Sequence, residues 1–387
     1  MSRVVHVINH LGWGGAENLV RGMARHLERR GWEVTICALS EPVYDAGSLD
    51  VRALGARGVW DFAAWRRLRR MLRQLRPEVV HLHLLWSELW GAAAARGLGA
   101  RVVITGHCTH DARATSGAAR LCSRFAARTA SATIAISTSV AEYRARCCGD
   151  SPDRMQVIHN GVEPGECAAA DEREAARSKL GLPRAGKVVG AVARLHWVKG
   201  LDTFLAGAAL LARWHRELRF MVVGGGPQAG ELRDLASRLG LDGRVLFTGE
   251  LSAEGVRQAL AAMDLFVLPS VREGLGIAVI EAMAAGLAVV ASDCEGIAEV
   301  IEEGRDALLF PPGDVRALAG QVDYLLRHPE HARRLGSAGR RRARDEFSLE
   351  RMVTGVEGVY AGAVGAAPSD ESDLSDRSDT PLQVTTS

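Results

Sequence analysis

Two glutamates, Glu273 and Glu281, stand eight positions apart in VREGLGIAVIEAMAAG, from Val271 to Gly286. Glu273 precedes a glycine-bracketed turn, Gly274-Leu275-Gly276, and Glu281 falls little more than one turn into a helix expected from about Ile277. Both can therefore face one ligand, and carboxylates so placed can hold vicinal hydroxyls of the kind a ribose or a hexose carries. The amides of Leu275, Gly276 and Ile277, at a helix start, can meet negative charge. Glu281 has only apolar or small neighbours in Ile280, Ala282, Met283 and Ala284. Buried among them it needs a partner; the alternative is an ordinary exposed helix residue.

A second stretch, VARLHWVKG from Val192 to Gly200, sets Arg194 and Lys199 five positions apart in one loop before another helix. An arginine that chelates two oxygens and a lysine that acts as a point charge suit a diphosphate. Only three lysines occur in the chain (Lys179, Lys187 and Lys199), the other basic residues being arginine, so a lysine in a glycine-bounded loop stands out. Two solvated surface cations are the plainer reading. Near the N-terminus, HLGWGGAEN from His10 to Asn18 carries Gly12, Gly14 and Gly15, which let the backbone turn tightly and approach a ligand at a helix start. A purely structural turn would look the same. In VITGHCTHD, from Val103 to Asp111, His107 stands where a strand should end and could donate a hydrogen bond to a sugar hydroxyl or to departing charge; His110 is a weaker candidate. A satisfied structural histidine is the alternative.

All four loops follow apolar, β-branched strands. In the first half these are Val4–Ile8, Val34–Ala38, Val79–Leu82, Val102–Thr105, Thr133–Ile136 and Met155–Ile158, with helical patterns such as Glu17–Arg29 and Trp65–Leu75 between them. The second half repeats the scheme with Val188–Ala193, Phe220–Val223, Val245–Phe247, Leu265–Leu268 and Ala288–Ala291. Such alternation implies an α/β chain of two doubly wound parallel sheets, which bind ligands at the carboxyl ends of their strands. The expected division is a Rossmann-like acceptor domain over 1–160, a linker at 161–170 and a donor-nucleotide domain over 171–345. A last helix capped by Ser348 would cross back over 346–365, and the acidic tail 366–387 should be disordered.

The net charge of +2 names no partner, and no nucleic acid is expected. No apolar run approaches the roughly 18 residues of a membrane span, and Val4–Ile8 reads as a strand instead of a signal peptide. Seven scattered cysteines without a C-x-x-C suit a reducing, cytoplasmic compartment. The basic segment Ala63–Arg76 has Trp65, Leu68, Leu72 and Leu75 on one face. It could touch an anionic membrane peripherally, at its inner face, but the following strand demands a helix that covers the first sheet.

Taken together, GGAE at 14–17, R-x4-K-G at 194–200, VVGGGP at 222–227, FTGEL at 247–251, E-x7-E at Glu273 and Glu281, VVASD at 289–293 and LLFPPGD at 308–314 resemble the retaining GT-B glycosyltransferases of family four. The resemblance covers about 3–365 and is strongest over 187–314. It implies a GT-B fold of two Rossmann-like domains facing across a cleft, and transfer of a hexose-type sugar from a nucleotide-diphosphate donor to an acceptor hydroxyl. The acceptor could be a cell-surface glycan, a lipid-linked glycan or a small natural product such as an aminocyclitol. By the same resemblance Arg194 and Lys199 bind the diphosphate, Glu273 the donor sugar and Glu281 the ribose. Gly14 and Gly15 belong to the loop that approaches the phosphates, His107 lies beside the sugar, and Gly249 and Leu251 pass the base. The implied chemistry is a same-face displacement in which the leaving phosphate oxygen helps deprotonate the acceptor.

No metal or other cofactor is expected, since the folded part has no D-x-D and the two cations would take a metal's place. Leu275 replaces an aromatic usual in the family, and Cys108 follows His107 where glycine or an acid is usual; both could alter sugar preference. A rival reading is an NAD-dependent oxidoreductase, since Gly224-Gly225-Gly226-Pro227-Gln228-Ala229 fits G-x-G-x-x-A with Glu250 further on. It leaves Arg194, Lys199, Glu273 and Glu281 unexplained. A sugar-nucleotide epimerase on the same two-domain fold is a further alternative.

Overall fold

The computed structural model describes residues 2–41, 44, 47–109, 116–163 and 170–365. His110, part of the 161–170 linker and the acidic tail fall outside the described residues.

The first unit is a seven-stranded sheet in the order β3-β2-β1-β4-β5-β6-β7, every neighbour parallel. Its strands are β1 (Arg3–Ile8), β2 (Glu33–Ala38), β3 (Asp50–Ala53), β4 (Val79–His83), β5 (Arg101–Gly106), β6 (Ala132–Ala135) and β7 (Met155–Val157). Helices α1 (Gly15–Arg29), α2 (Phe62–Leu75), α3 (Leu85–Ala95), α4 (Gly117–Thr129) and α5 (Thr138–Cys148) connect them. After α6 (Ala170–Lys179), the second unit is a six-stranded parallel sheet in the order β10-β9-β8-β11-β12-β13. It comprises β8 (Val188–Val192), β9 (Arg219–Val223), β10 (Val245–Gly249), β11 (Leu265–Leu268), β12 (Ala288–Ser292) and β13 (Leu308–Phe310). Its helices are α7 (Leu201–Trp214), α8 (Ala229–Arg238), α9 (Ala253–Ala262), α10 (Ile277–Ala284), α11 (Glu295–Ala298), α12 (Val315–Arg327) and α13 (Pro329–Glu346).

Strand order reverses between β1 and β4 in one sheet and between β8 and β11 in the other. Loops leaving adjacent strands at such a point diverge to opposite faces and open a crevice. His107, Arg194, Lys199 and Glu273 all lie on loops that follow strands at or beside these two reversals.

The closing helix α14 (Leu349–Gly365) returns to the first unit, where Met352, Val353, Val356 and Tyr360 pack with Val4, Ile8 and Val103. Ser348 starts it, its hydroxyl accepting from the Arg351 amide at 3.3 Å. Where the chain crosses between units, the two connections run side by side. Val162 and Leu349 exchange backbone bonds with Phe347 and Val162 at 2.9 Å each. Gly161 is required there, because a Cβ would stand 2.4 Å from the Ser348 carbonyl oxygen.

The α2 segment is a covering helix: Ala64, Leu68, Met71 and Leu72 are buried against Val5, Val7 and Val80. Trp65 and Leu75 are only half-buried, so the buried stripe is turned from the expected one toward Met71. Its apolar face is therefore not available to a bilayer. No described helix is long and apolar enough to cross a membrane.

Candidate active site

The β8 and β11 loops are zipped together, which is what brings a lysine to a glutamate 74 positions away. The Val271 amide donates to the Val198 carbonyl at 2.8 Å. Gly200, at φ +59, lies so close to Pro269 that a Cβ would meet its carbonyl oxygen at 2.1 Å, so no other residue fits. Lys199 Nζ then reaches Glu273 Oε1 at 2.6 Å, and the Ser270 hydroxyl donates to the same oxygen at 2.7 Å. Both bonds land on Oε1, so Glu273, almost fully buried, keeps Oε2 as an acceptor for a ligand hydroxyl. Arg194, on the same loop as Lys199, is exposed and its guanidinium bonds to nothing among the described residues.

Gly276, at φ +80, turns the chain into α10, whose first amides have no intrahelical acceptor. Leu275 is buried in the core while Ile277 stays half-buried at the helix start. Glu281, one turn on, lines a cavity of about 400 Å³ together with Gly15, Ile277, Ala253 and Val256. Burial raises its carboxyl pKa to about 7. The cavity wall comes from Ala253 and Val256 of α9, while Gly249 and Leu251 lie just before it at the end of β10. Glu273 does not line this cavity; it lies before the start of α10, and Glu281 lies one turn into that helix.

The first unit presses its own loops against the 273–277 turn. Ser137 donates to the Gly274 carbonyl at 2.6 Å, and a Cβ on Gly274 would lie 2.8 Å from the His107 carbonyl oxygen. Gly15 comes close enough to Ile277 that a Cβ would touch its side chain at 3.6 Å. Glu299 adds a clamp, accepting from the Thr138 and Ser139 amides at 2.7 and 3.0 Å. Gly15 and His107 of the first unit thus meet Ile277 and Gly274 of the second where the two units face each other.

Two sets of polar residues were not singled out from the sequence. Glu17, the acid of GGAE, is buried beside Gly14, and its Oε1 lies 3.3 Å from His10 Nδ1. Its signal is the GGAE motif itself, in which it is the one acid. His6, His81 and His83 are fully buried on the central strands β1 and β4. Their signal is a polar residue at alternate positions of strands buried on both faces, an uncommon arrangement that calls for a stated partner. Immediately after His83, Leu84 takes φ 73 and ψ 160, a region nearly reserved for glycine that costs about 1–3 kcal/mol. The chain accepts that strain at the β4–α3 elbow, on the edge of the crevice.

The G-x-G-x-x-A stretch has a different role from a dinucleotide fingerprint. It follows β9, an inner strand that is not the first of its unit. Gly224 and Gly226, at φ +133 and +152, pack against the Ala193 and Leu195 carbonyls, where a Cβ would stand at 2.0 and 2.4 Å. These glycines support the Arg194 loop.

Comparison with known proteins agrees with this geometry. The family model described as Glycosyl transferases group 1 matches residues 172–342, and Glycosyltransferase Family 4 matches 13–166. The chain is 30% identical over 310 residues to the 2-deoxystreptamine glucosyltransferase of Streptomyces kanamyceticus, covering 76% of this chain and 80% of that one. It belongs to the GT-B glycosyltransferases of family four. It is also 28% identical over 399 residues to the 2-deoxystreptamine N-acetyl-D-glucosaminyltransferase of Streptomyces fradiae, covering 92% and 94% of the two chains. In fold it is similar to Anabaena HepE, solved in complex with UDP and glucose, with a TM-score of 0.84 at 20% identity over 93% of this chain and all of that one. The oxidoreductase reading is withdrawn: the matching families are glycosyltransferases, and the glycines that suggested it are packing residues.

Proposed function

We propose that this glycosyltransferase moves a hexose-type sugar from a uridine-diphosphate donor to a hydroxyl of an aminocyclitol acceptor, with retention of anomeric configuration and without a metal ion. The observation that carries this reading is the Lys199–Glu273 pair at 2.6 Å on the loop that also bears the exposed Arg194. An ammonium fixed by a glutamate is pre-positioned for the diphosphate, and a guanidinium on the same loop supplies a second cation. Glu273 holds a donor-sugar hydroxyl through Oε2, Glu281 takes the ribose, and His107 lies beside the sugar. Gly14 and Gly15 close over the phosphates from the first unit. As the bond from the anomeric carbon to the leaving phosphate oxygen breaks, the acceptor oxygen attacks from the same face, and its proton passes to that phosphate oxygen.

The acceptor class is supported by the named activities of the two Streptomyces relatives, both on 2-deoxystreptamine. Glu17 supports it physically: a buried carboxylate at the cleft-facing start of α1 can receive the ammonium of an aminocyclitol. The uridine donor is supported by the ligands of the HepE structure.

The test is incubation of the enzyme with UDP-glucose or UDP-N-acetylglucosamine and 2-deoxystreptamine in EDTA, with proton NMR of the product. The expected product is an α-glycoside, recognised by its small H1–H2 coupling. A β-linked product, or transfer that appears only when a divalent ion is restored, contradicts the mechanism; transfer only to other acceptors contradicts the substrate.

A further inference from the structure

Glu273 is held by more than the lysine that reaches it. Ser270, fully buried in the loop after β11, donates its hydroxyl to Glu273 Oε1 at 2.7 Å, the same oxygen that Lys199 Nζ meets at 2.6 Å. Ser270 is fixed in turn from the neighbouring strand. β11 and β12 run in register as far as Leu268 opposite Ala291, and the residue after Ala291 is Ser292, also fully buried. The Ser292 hydroxyl donates to the Ser270 carbonyl and lies 3.4 Å from the Leu268 carbonyl oxygen. The backbone of Glu273 is confined as well, since a Cβ on Gly296 would stand 2.7 Å from its carbonyl oxygen.

The last torsion of a glutamate is broad, so a carboxylate held at one point keeps rotational freedom. Lys199 alone is a loose hold. Its ammonium sits on a flexible stem, is partly exposed, and is the group proposed to meet the incoming diphosphate. Ser270 has a short stem and no exposure, and its bond does not depend on where the ammonium turns. With both donors on Oε1, Oε2 is the oxygen left for a ligand hydroxyl.

We infer that Ser270 is a positioning residue that fixes the Glu273 carboxylate so that Oε2 selects donors by one hydroxyl of their sugar, an inference that rests on the donor-sugar role proposed above for Glu273. Selection of this kind needs the accepting atom within about 0.5 Å of its productive place, which is set by the residues that support the binding group. Ser292 holds the Ser270 backbone, Ser270 holds the carboxylate, and the strand ends of β11 and β12 carry both. The plainer role for a buried serine is to satisfy its own hydroxyl and fill space. That role would alter the whole donor site together, whereas positioning alters only the recognition of the sugar.

The experiment is calorimetry of the full chain with UDP, UDP-glucose and UDP-glucose analogues that each lack one sugar hydroxyl, with no acceptor present. The parent should bind one analogue about ten-fold more weakly than UDP-glucose, and Glu273→Ala should abolish that ratio. Ser270→Ala should bind UDP as the parent does, yet its ratio should fall to about two-fold or less. Ser270→Cys keeps the volume of the side chain but donates weakly, so it should behave like Ser270→Ala. A ratio that is lost in Glu273→Ala but intact in both serine variants overturns the inference and leaves the role of Glu273 standing. Serine variants that weaken UDP as much as UDP-glucose also overturn it, since the serine is then structural. If the parent itself binds every analogue as it binds UDP-glucose, the sugar role of Glu273 fails and the inference falls with it.

Discussion

Burial holds the proton on Glu281 up to about pH 7, where an exposed glutamate would have lost it by pH 5. The sign of the resulting linkage is fixed. Because the folded value lies above the unfolded one, ionisation of Glu281 destabilises the fold progressively as pH rises from about 4.5 to about 7, and the loss is complete above that. Glu281→Gln should therefore be more thermally stable than the parent at pH 8, with the gain shrinking toward pH 5. The same substitution should weaken binding of a nucleoside diphosphate about ten-fold or more, since a ribose hydroxyl donates best to a carboxylate. Calorimetry and thermal melts together check it, and a variant with neither effect removes the ribose role. Arg194 behaves differently, being exposed and bonded to nothing among the described residues. Arg194→Ala should melt like the parent yet turn over about ten- to a hundred-fold more slowly, as one or more charged hydrogen bonds of roughly 1.5–3 kcal/mol are lost from the transition state. Unchanged turnover would remove it from the mechanism. As candidates, Glu273, the two cations and His107 were legible because each stands in a loop after an apolar strand, and Glu281 because it follows one such loop into a helix. The histidines behind them were not, because a strand's register must be known before two residues 77 positions apart can be placed in contact.

Strands with several consecutive apolar residues were legible for the same reason: a parallel sheet covered on both faces leaves them no polar side. The ones missed, β3 and β13, are short edge strands. Asp50–Ala53 carries two charged residues in four, and Leu308–Phe310 has three residues before a proline turn. The turned stripe of α2 reflects the difference between sequence spacing and the direction in which a helical side chain leans. The crossing point between the units carries a sharper expectation. Gly161→Ala would drive a methyl group to 2.4–2.6 Å from the backbone of Ser348 and Leu349. Neither chain segment can move without disturbing the start of α14, so denaturation should show a loss of about 1–3 kcal/mol. A variant as stable as the parent would mean that the two connections separate freely. Glu299 should tie the units in a pH-dependent way. Burial alone would raise its pKa, but the Thr138 and Ser139 amides outweigh this and hold it below the usual value. The clamp is therefore complete above about pH 4.5 and is lost as pH falls through the lowered value. Hydrogen exchange at the start of α5 should rise at acid pH in the parent and be raised at every pH in Glu299→Ala; equal exchange in both would deny the clamp.

Across the whole chain, the two parallel sheets each place their reversal point toward the other, and the 273–277 turn is gripped by loops after β1, β5 and β6. The second unit thus carries the cations and glutamates, and Gly15 and His107 of the first unit face its 273–277 turn. The division was visible from the repeated strand–helix pattern, whereas the contact between the units depends on individual backbone approaches, such as Gly274 against His107, that no periodicity encodes. The most direct test of the metal-free phosphate site is calorimetric titration with UDP, GDP, ADP and TDP in EDTA, for the parent, Arg194→Ala and Lys199→Ala. One nucleotide should bind the parent without added metal, and each substitution should weaken it about ten-fold or more. Binding that requires a divalent ion, or that survives both substitutions unchanged, would contradict it.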